Sequence, residues 1–206
     1  MLNKLSPSYI SELVCTRISH DIIGNIGAVS NAVELLEDDD PESLADVKPI
    51  LEWSSQVLSA RLKFFRLAFG LSNASIKNIE ELKDIVSNYA KTIGNRNFPV
   101  KLSLNIKTPE LYKIVLLGVM SLADVFIKGG TFDVEETPEG INFIAGTPNS
   151  LSVSKLEAIK MVLAGNMLEE NPAQVAPIAY LMGLLENTGV NITLDFTDSQ
   201  ASLKIG

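Results

Sequence analysis

The chain of 206 residues has a single cysteine, Cys15, and a single histidine, His20. One cysteine excludes an intramolecular disulfide and fits a reducing compartment. One cysteine with one histidine argues against a zinc site or a haem pocket. Cations are also in short supply. Lys and Arg number 17 against 25 Asp and Glu, a net charge of −8. The basic footprint of a nucleic-acid binder is therefore missing. The most apolar run, residues 114–127, is interrupted by Gly118, Ser121 and Asp124. It is too short and too polar to span a bilayer. Residues 1–11 contain no apolar stretch of signal-peptide length, so a cytoplasmic location is expected. What the chain does have is 46 % hydrophobic residues against 20 % charged ones. That balance belongs to a folded globular protein, and the length suits one large domain or two small ones.

The first third reads as two long helices. Val14, Ile18, Ile22, Ile26, Val29, Val33 and Leu36 recur every three or four residues over 13–37, the period of an amphipathic helix. The run Asp38-Asp39-Asp40-Pro41 breaks it as a solvated turn, with Asp40 able to cap the next helix and Pro41 at its first position. A second stripe, Leu44, Val47, Leu51, Leu58, Leu62, Phe65 and Phe69, predicts a helix over 42–69 closed by Gly70. Pro49 inside it predicts a kink, or a true start just before it. The two apolar faces are too wide for one hairpin to bury. Pairing two hairpins into a four-helix bundle solves this, so a homodimer is expected.

After a short linker at 71–75 the texture changes. Asn78 with Glu81 makes a capping box for a helix over 79–92, closed near Gly94. Alternation at Val100, Leu102, Leu104 and Ile106 predicts a strand. A buried helix is expected over 111–128, a β-hairpin over 131–136 and 141–145, helices over 154–164 and 173–186, and strands over 191–196 and 201–205. The fold class is therefore α+β: a helical hairpin over 1–72, then an α/β sandwich over 73–206.

Chemistry, if imidazole carries it, falls on His20. At 100° per residue His20 points away from the stripe of its helix. Its own face holds Leu13, Arg17, Gly24, Gly27 and Asn31. Each helical glycine costs roughly 1 kcal/mol against alanine. The benefit would be room for a partner's backbone beside the imidazole. A lone helical histidine is more often without chemistry, but the flanking glycines and outward phase favour a role. A neutral imidazole nitrogen is a nucleophile near neutral pH, which suits phosphoryl relay. Asp21 can bond the other ring nitrogen or Arg17 and set the tautomer. Arg17 can neutralise phosphoryl oxygens. Read blandly, Arg17 and Asp21 are a solvated i,i+4 charge pair.

The string from Arg17 through His20-Asp21 to Glu37 resembles the ChpT family of alphaproteobacterial histidine phosphotransferases, as does the run from Arg61 to Gly70. The resemblance covers both helices and continues weakly beyond. It implies a dimeric four-helix bundle, with a degenerate version of the histidine-kinase ATP-binding (Bergerat) domain attached to each hairpin. It implies that His20 is the phosphoacceptor and Asp21 its acidic neighbour. The implied partners are the receiver domain of a hybrid histidine kinase as donor, and response regulators of the CtrA type as acceptors. Gly24 departs from the small polar residue usual in the family.

An active kinase domain would carry asparagines over 117–124 and an Asp at the position of Ala145. Here the first stretch has no Asn, and Gly165-Asn166 is no phosphate-cradling loop. The expectation is no ATP binding and no cofactor of the chain's own, with magnesium supplied by the receiver. Two rivals remain: a non-catalytic dimeric scaffold for receivers, and an ATP-dependent autokinase. Asp124 reads as a helix-end charge more than a residual metal site. Cys15 and Trp53 read as packing residues. Arg61, Lys63 and Arg66 face either an acidic receiver or solvent.

Overall fold

The computed structural model of the chain describes residues 5–36, 41–71, 76–93 and 99–206. Helix α1 spans Pro7–Glu34 and α2 spans Pro41–Phe69. They are followed by α3 (Ile79–Ala90), β1 (Val100–Asn105), α4 (Tyr112–Ala123), β2 (Gly130–Thr137), β3 (Gly140–Gly146), α5 (Val153–Leu163), α6 (Ala176–Leu185), β4 (Ile192–Phe196) and β5 (Gln200–Ile205). The expected order of elements is met. The Asp38–Asp40 turn, the Gly94 closure, most of the linker and the Leu44 side chain lie outside the described residues.

Local chemistry explains most of the boundaries. Helix α1 begins six residues before the stripe suggests, because Ser6 caps it and Pro7 occupies its first position. The Ser6 hydroxyl oxygen accepts the Tyr9 amide at 3.2 Å. Helix α2 runs through Pro49 rather than starting there. Its amide-less turn leaves the Ala45 carbonyl without a helical donor, and Ala45 is exposed to water. Gly70 ends α2 as expected. Its amide bonds the Arg66 carbonyl at 3.0 Å, where a Cβ would collide with that same oxygen. At α3 the Asn78 side chain accepts the Glu81 amide at 2.9 Å, and Glu81 reaches back to the Lys77 amide at 2.8 Å.

Helix α4 stops at Ala123, five residues short of the expected Lys128. Residues 125 and 126 leave the helix to pair with the 151–152 segment: Ser152 donates to the Val125 carbonyl at 2.8 Å, and Phe126 bridges Leu151. This break leaves Asp124 as the C-cap.

The sheet order is β1-β2-β3-β5-β4, with β1 parallel to β2 and the other pairs antiparallel. Phe132, Val134, Ile141, Phe143, Ala145, Leu203 and Ile205 alternate onto one face, under the helices. From Val115 to Ala123 helix α4 is buried all round, as its almost wholly apolar sequence there requires. Gly118 lets it approach β3, since a Cβ there would overlap the Phe143 ring.

The base of the hairpin joins this core. Leu13, Phe64, Phe65 and Ala68 belong to the same buried cluster as Leu82, Tyr89, Val115 and Leu116. Phe64 stacks on Tyr89 with ring centres 3.9 Å apart. The Lys113 ammonium bonds the Gly70 carbonyl at 2.8 Å, and the Tyr180 hydroxyl bonds that of Phe69 at 3.3 Å. One side of the hairpin is bare: Ile23, Ile26 and Val33 on α1, Leu36 just past its end and Leu62 on α2 are each roughly half exposed, Ile23 more so. Cys15 also lies exposed on α1, so its reading as a packing residue is corrected. No described helix is long and apolar enough to cross a membrane.

Candidate functional site

Helix α1 brings His20 to the surface with its side chain 84 % exposed. One residue on, a rotation of about 100° turns Asp21 inward, so adjacent residues face solvent and interior. The buried line of α1 is Ile10, Leu13, Arg17, Asp21 and Ala32. The apolar stripe is turned partly away from it, which is why Ile26, Val33 and Leu36 stay uncovered.

Asp21 divides its two oxygens. Oδ2 accepts from Arg17 Nε at 3.0 Å, and Oδ1 lies 3.4 Å from His20 Nδ1. The sequence reading had Asp21 bonding the ring nitrogen or Arg17, and the geometry places it beside both. A proton on Nδ1 would be met by this carboxylate, and that tautomer leaves the Nε2 lone pair free. Arg61 Nη1 stands 3.9 Å from the same Oδ1.

Arg17 is placed differently from its sequence reading. That reading set it on an open face with Leu13, ready for phosphoryl oxygens. Both residues are buried. Helix α6 packs on this part of α1, and the end of α4 supplies a second carboxylate. Arg17 Nη2 meets Asp124 Oδ2 at 2.6 Å, so the guanidinium is held between two acids rather than aimed at a ligand. Burial alone would ease off its proton. The carboxylates, Asp124 first and then Asp21, reverse this and hold the group above its ordinary range. Tyr89, fully buried, is pushed up by burial first and by Asp124 next, so its phenol stays protonated.

Gly24, Gly27 and Asn31 lie exposed on α1 beyond His20, as expected. A Cβ on either glycine would meet no atom within 4 Å. Arg61, offered as a docking cation, is instead fixed inward: Nη2 donates to the Thr92 carbonyl at 3.1 Å and Nε to its hydroxyl at 3.3 Å. Lys63 lies 4.0 Å from Glu81, and Arg66 is exposed.

Sequence reasoning read Asp124 as a helix-end charge, which its C-cap place bears out, and missed that it joins Tyr89 and Thr92 in an inner ring. One signal was available, a single charge at the end of the otherwise apolar run 114–127. In the sandwich, Ala145 is fully buried between Phe132 and Ala201 on neighbouring strands, and residues 117–123 all pack in the core. Among the described residues no three His, Cys, Asp or Glu cluster as metal ligands.

No family model matches the chain. A curated protein of Brucella abortus (strain 2308), "Protein phosphotransferase ChpT", is 39 % identical over 71 residues, 34 % of this chain and 33 % of that protein. The chain thus aligns with about a third of the length of the curated relative it matches. A solved bacterial phosphotransferase superposes with a TM-score of 0.77, covering 100 % of both chains at 24 % identity. This second likeness establishes the fold, a mixed α+β arrangement with an N-terminal helical region. The resemblance read from the helix sequence is therefore met by a curated relative of the ChpT name, and the chain shares the whole fold of a solved phosphotransferase.

Proposed function

We propose that the chain is a phosphorelay histidine phosphotransferase with His20 as phosphoacceptor. The observation that carries this reading is the exposed imidazole whose Nδ1 rests on Asp21, leaving Nε2 open. The Nε2 lone pair forms the bond to phosphorus of an aspartyl phosphate. The phosphorus–oxygen bond to the donor aspartate breaks, and its electron pair leaves on that carboxylate. The Nδ1 proton stays on the ring, where Asp21 balances the charge that develops. The reverse step delivers the group to a second aspartate. Nε2 loses its bond to phosphorus and regains its lone pair.

The donor is the receiver domain of a hybrid kinase and the acceptor a response regulator of the CtrA type. Magnesium belongs to the receiver's acidic site. The chain itself uses no ATP, in keeping with the buried Ala145 where an adenine-reading Asp would stand. Residues 1–72 carry relay and dimerisation, residues 73–206 support them, and the protein works in the cytoplasm.

A second copy covers the bare stripe of the hairpin. Five apolar side chains per copy contribute on the order of 1 kcal/mol each when half-exposed area is covered. Two copies reach about 10 kcal/mol, within the roughly 4–15 kcal/mol that association costs. Nearly the whole stripe must then be engaged.

The deciding experiment incubates a phosphorylated receiver with the purified chain and with His20→Ala. Label is expected on the wild type alone. Equal labelling of both would end the proposal. Receiver binding with no phosphohistidine would favour the scaffold, and labelling from ATP alone would favour the autokinase.

A further inference from the structure

We propose that Asp124, at the end of α4 in the sandwich, is a positioning residue for His20, acting through Arg17 and Asp21. The inference rests on the relay reading, and it gives the sandwich a task in a chain that uses no nucleotide.

The contacts form a line. Asp124 Oδ2 holds Arg17 Nη2 at 2.6 Å, Arg17 Nε holds Asp21 Oδ2 at 3.0 Å, and Asp21 Oδ1 faces His20 Nδ1 at 3.4 Å. An arginine facing one carboxylate tends to take both of its oxygens as a fork. Asp124 prevents this by engaging Nη2, the second prong of that fork. Arg17 then spends only Nε on Asp21, and Oδ1 is left for the imidazole. Two cations, Arg17 and Arg61, and two anions, Asp21 and Asp124, surround the point, with the neutral Tyr89 phenol on α3 and Thr92 beside them. Without Asp124 the balance tips, Arg17 closes on Asp21, and Oδ1 is drawn from the ring.

Asp124 is itself held in place. Lys155 donates to its carbonyl at 2.9 Å, and the 125–126 segment is paired to 151–152. Its side chain is 31 % exposed, and Asp124→Asn keeps its size while removing the charge.

The chain has one histidine, so imidazole signals from a nitrogen-15-labelled sample report on His20 alone. In the wild type the ring proton is expected on Nδ1. In Asp124→Asn the Nδ1-protonated share falls, and transfer from a phosphorylated receiver slows about tenfold, as when outer partners of a ligating histidine are removed. Asp124→Glu restores both. A lowered melting temperature with unchanged imidazole signals would overturn the inference, because Asp124 would then only hold the fold. Should Asp124→Asn not fold, Arg17→Lys is read in the same way: it keeps the charge but loses the planar fork that sets the two carboxylates side by side, and an unchanged tautomer refutes the idea. If the wild type never takes label, the relay reading fails, while the imidazole signals still decide this one.

Discussion

Gly24 and Gly27 offer a test in which stability and activity should move in opposite directions. They lie one and two turns beyond His20 on the exposed side of α1, and a methyl on either meets no atom within 4 Å. Glycine in an exposed helix interior costs about 1 kcal/mol against alanine. The double change Gly24→Ala, Gly27→Ala should therefore stabilise the fold by about 2 kcal/mol. For a chain of this size that raises Tm by about 4–8 °C, readable by circular dichroism.

If the glycines are kept bare for a partner's close approach, the same two methyls overpack the interface. That costs about 1–3 kcal/mol, which weakens receiver binding by about fivefold to 150-fold. Calorimetric titration with a receiver domain measures binding, and the initial rate of phosphotransfer gives its consequence. A more stable variant that binds and transfers like the wild type would refute the close-approach argument. A less stable variant would show that something fills the space beside the helix.

Three further perturbations follow from particular contacts. Ile26→Asp or Val33→Asp puts a charge into the bare stripe, so light scattering should drop from twice the chain mass to the chain mass with the helical signal kept; an unchanged mass refutes the dimer. Gly118→Ala forces a Cβ into the Phe143 ring and should cost about 1–3 kcal/mol by urea unfolding; an unaltered midpoint means α4 and β3 sit farther apart. Glu136 accepts from the Thr108 hydroxyl at 2.5 Å and from the Lys107 and Thr108 amides at 2.6 and 2.9 Å. The Thr108 hydroxyl first, then these amides, hold its carboxyl below the ordinary value. A lowered folded-state pKa adds stability above the unfolded value and loses it as pH falls through the folded value. Glu136→Gln should therefore be less stable than wild type at neutral pH, and the gap should close in acid; a constant gap refutes it.

Much of this fold is legible because its signals are local. The Asn78–Glu81 cap, the alternation in β1 and the punctuation by Gly70 each act within a few residues. Ser6 and Pro7 are equally local signals, but they lie ahead of the apolar stripe, whose period says nothing about them. The end of α4 was not legible. Residues 125–128 could continue a helix, and only pairing with 151–152 stops them. The site divides in the same way. His20 and its exposed glycines follow from helical phase and a histidine count of one. Arg17 did not, because its second carboxylate comes from a distant part of the sequence, and no periodicity reports that.

The buried arginine also bears on what the joint between hairpin and sandwich is for. A buried ion pair adds little net stability, because desolvation offsets its attraction, and apolar replacements often do as well. The joint has other ties. The Phe64–Tyr89 stack contributes about 0.5–1.5 kcal/mol beyond its area, and the Lys113–Gly70 and Tyr180–Phe69 hydrogen bonds about 1 kcal/mol each. Together with the shared apolar core these hold the two parts without Arg17. A charge that docking does not need, placed between Asp124 and the carboxylate beside His20, is better explained by the imidazole it orients than by the stability it adds.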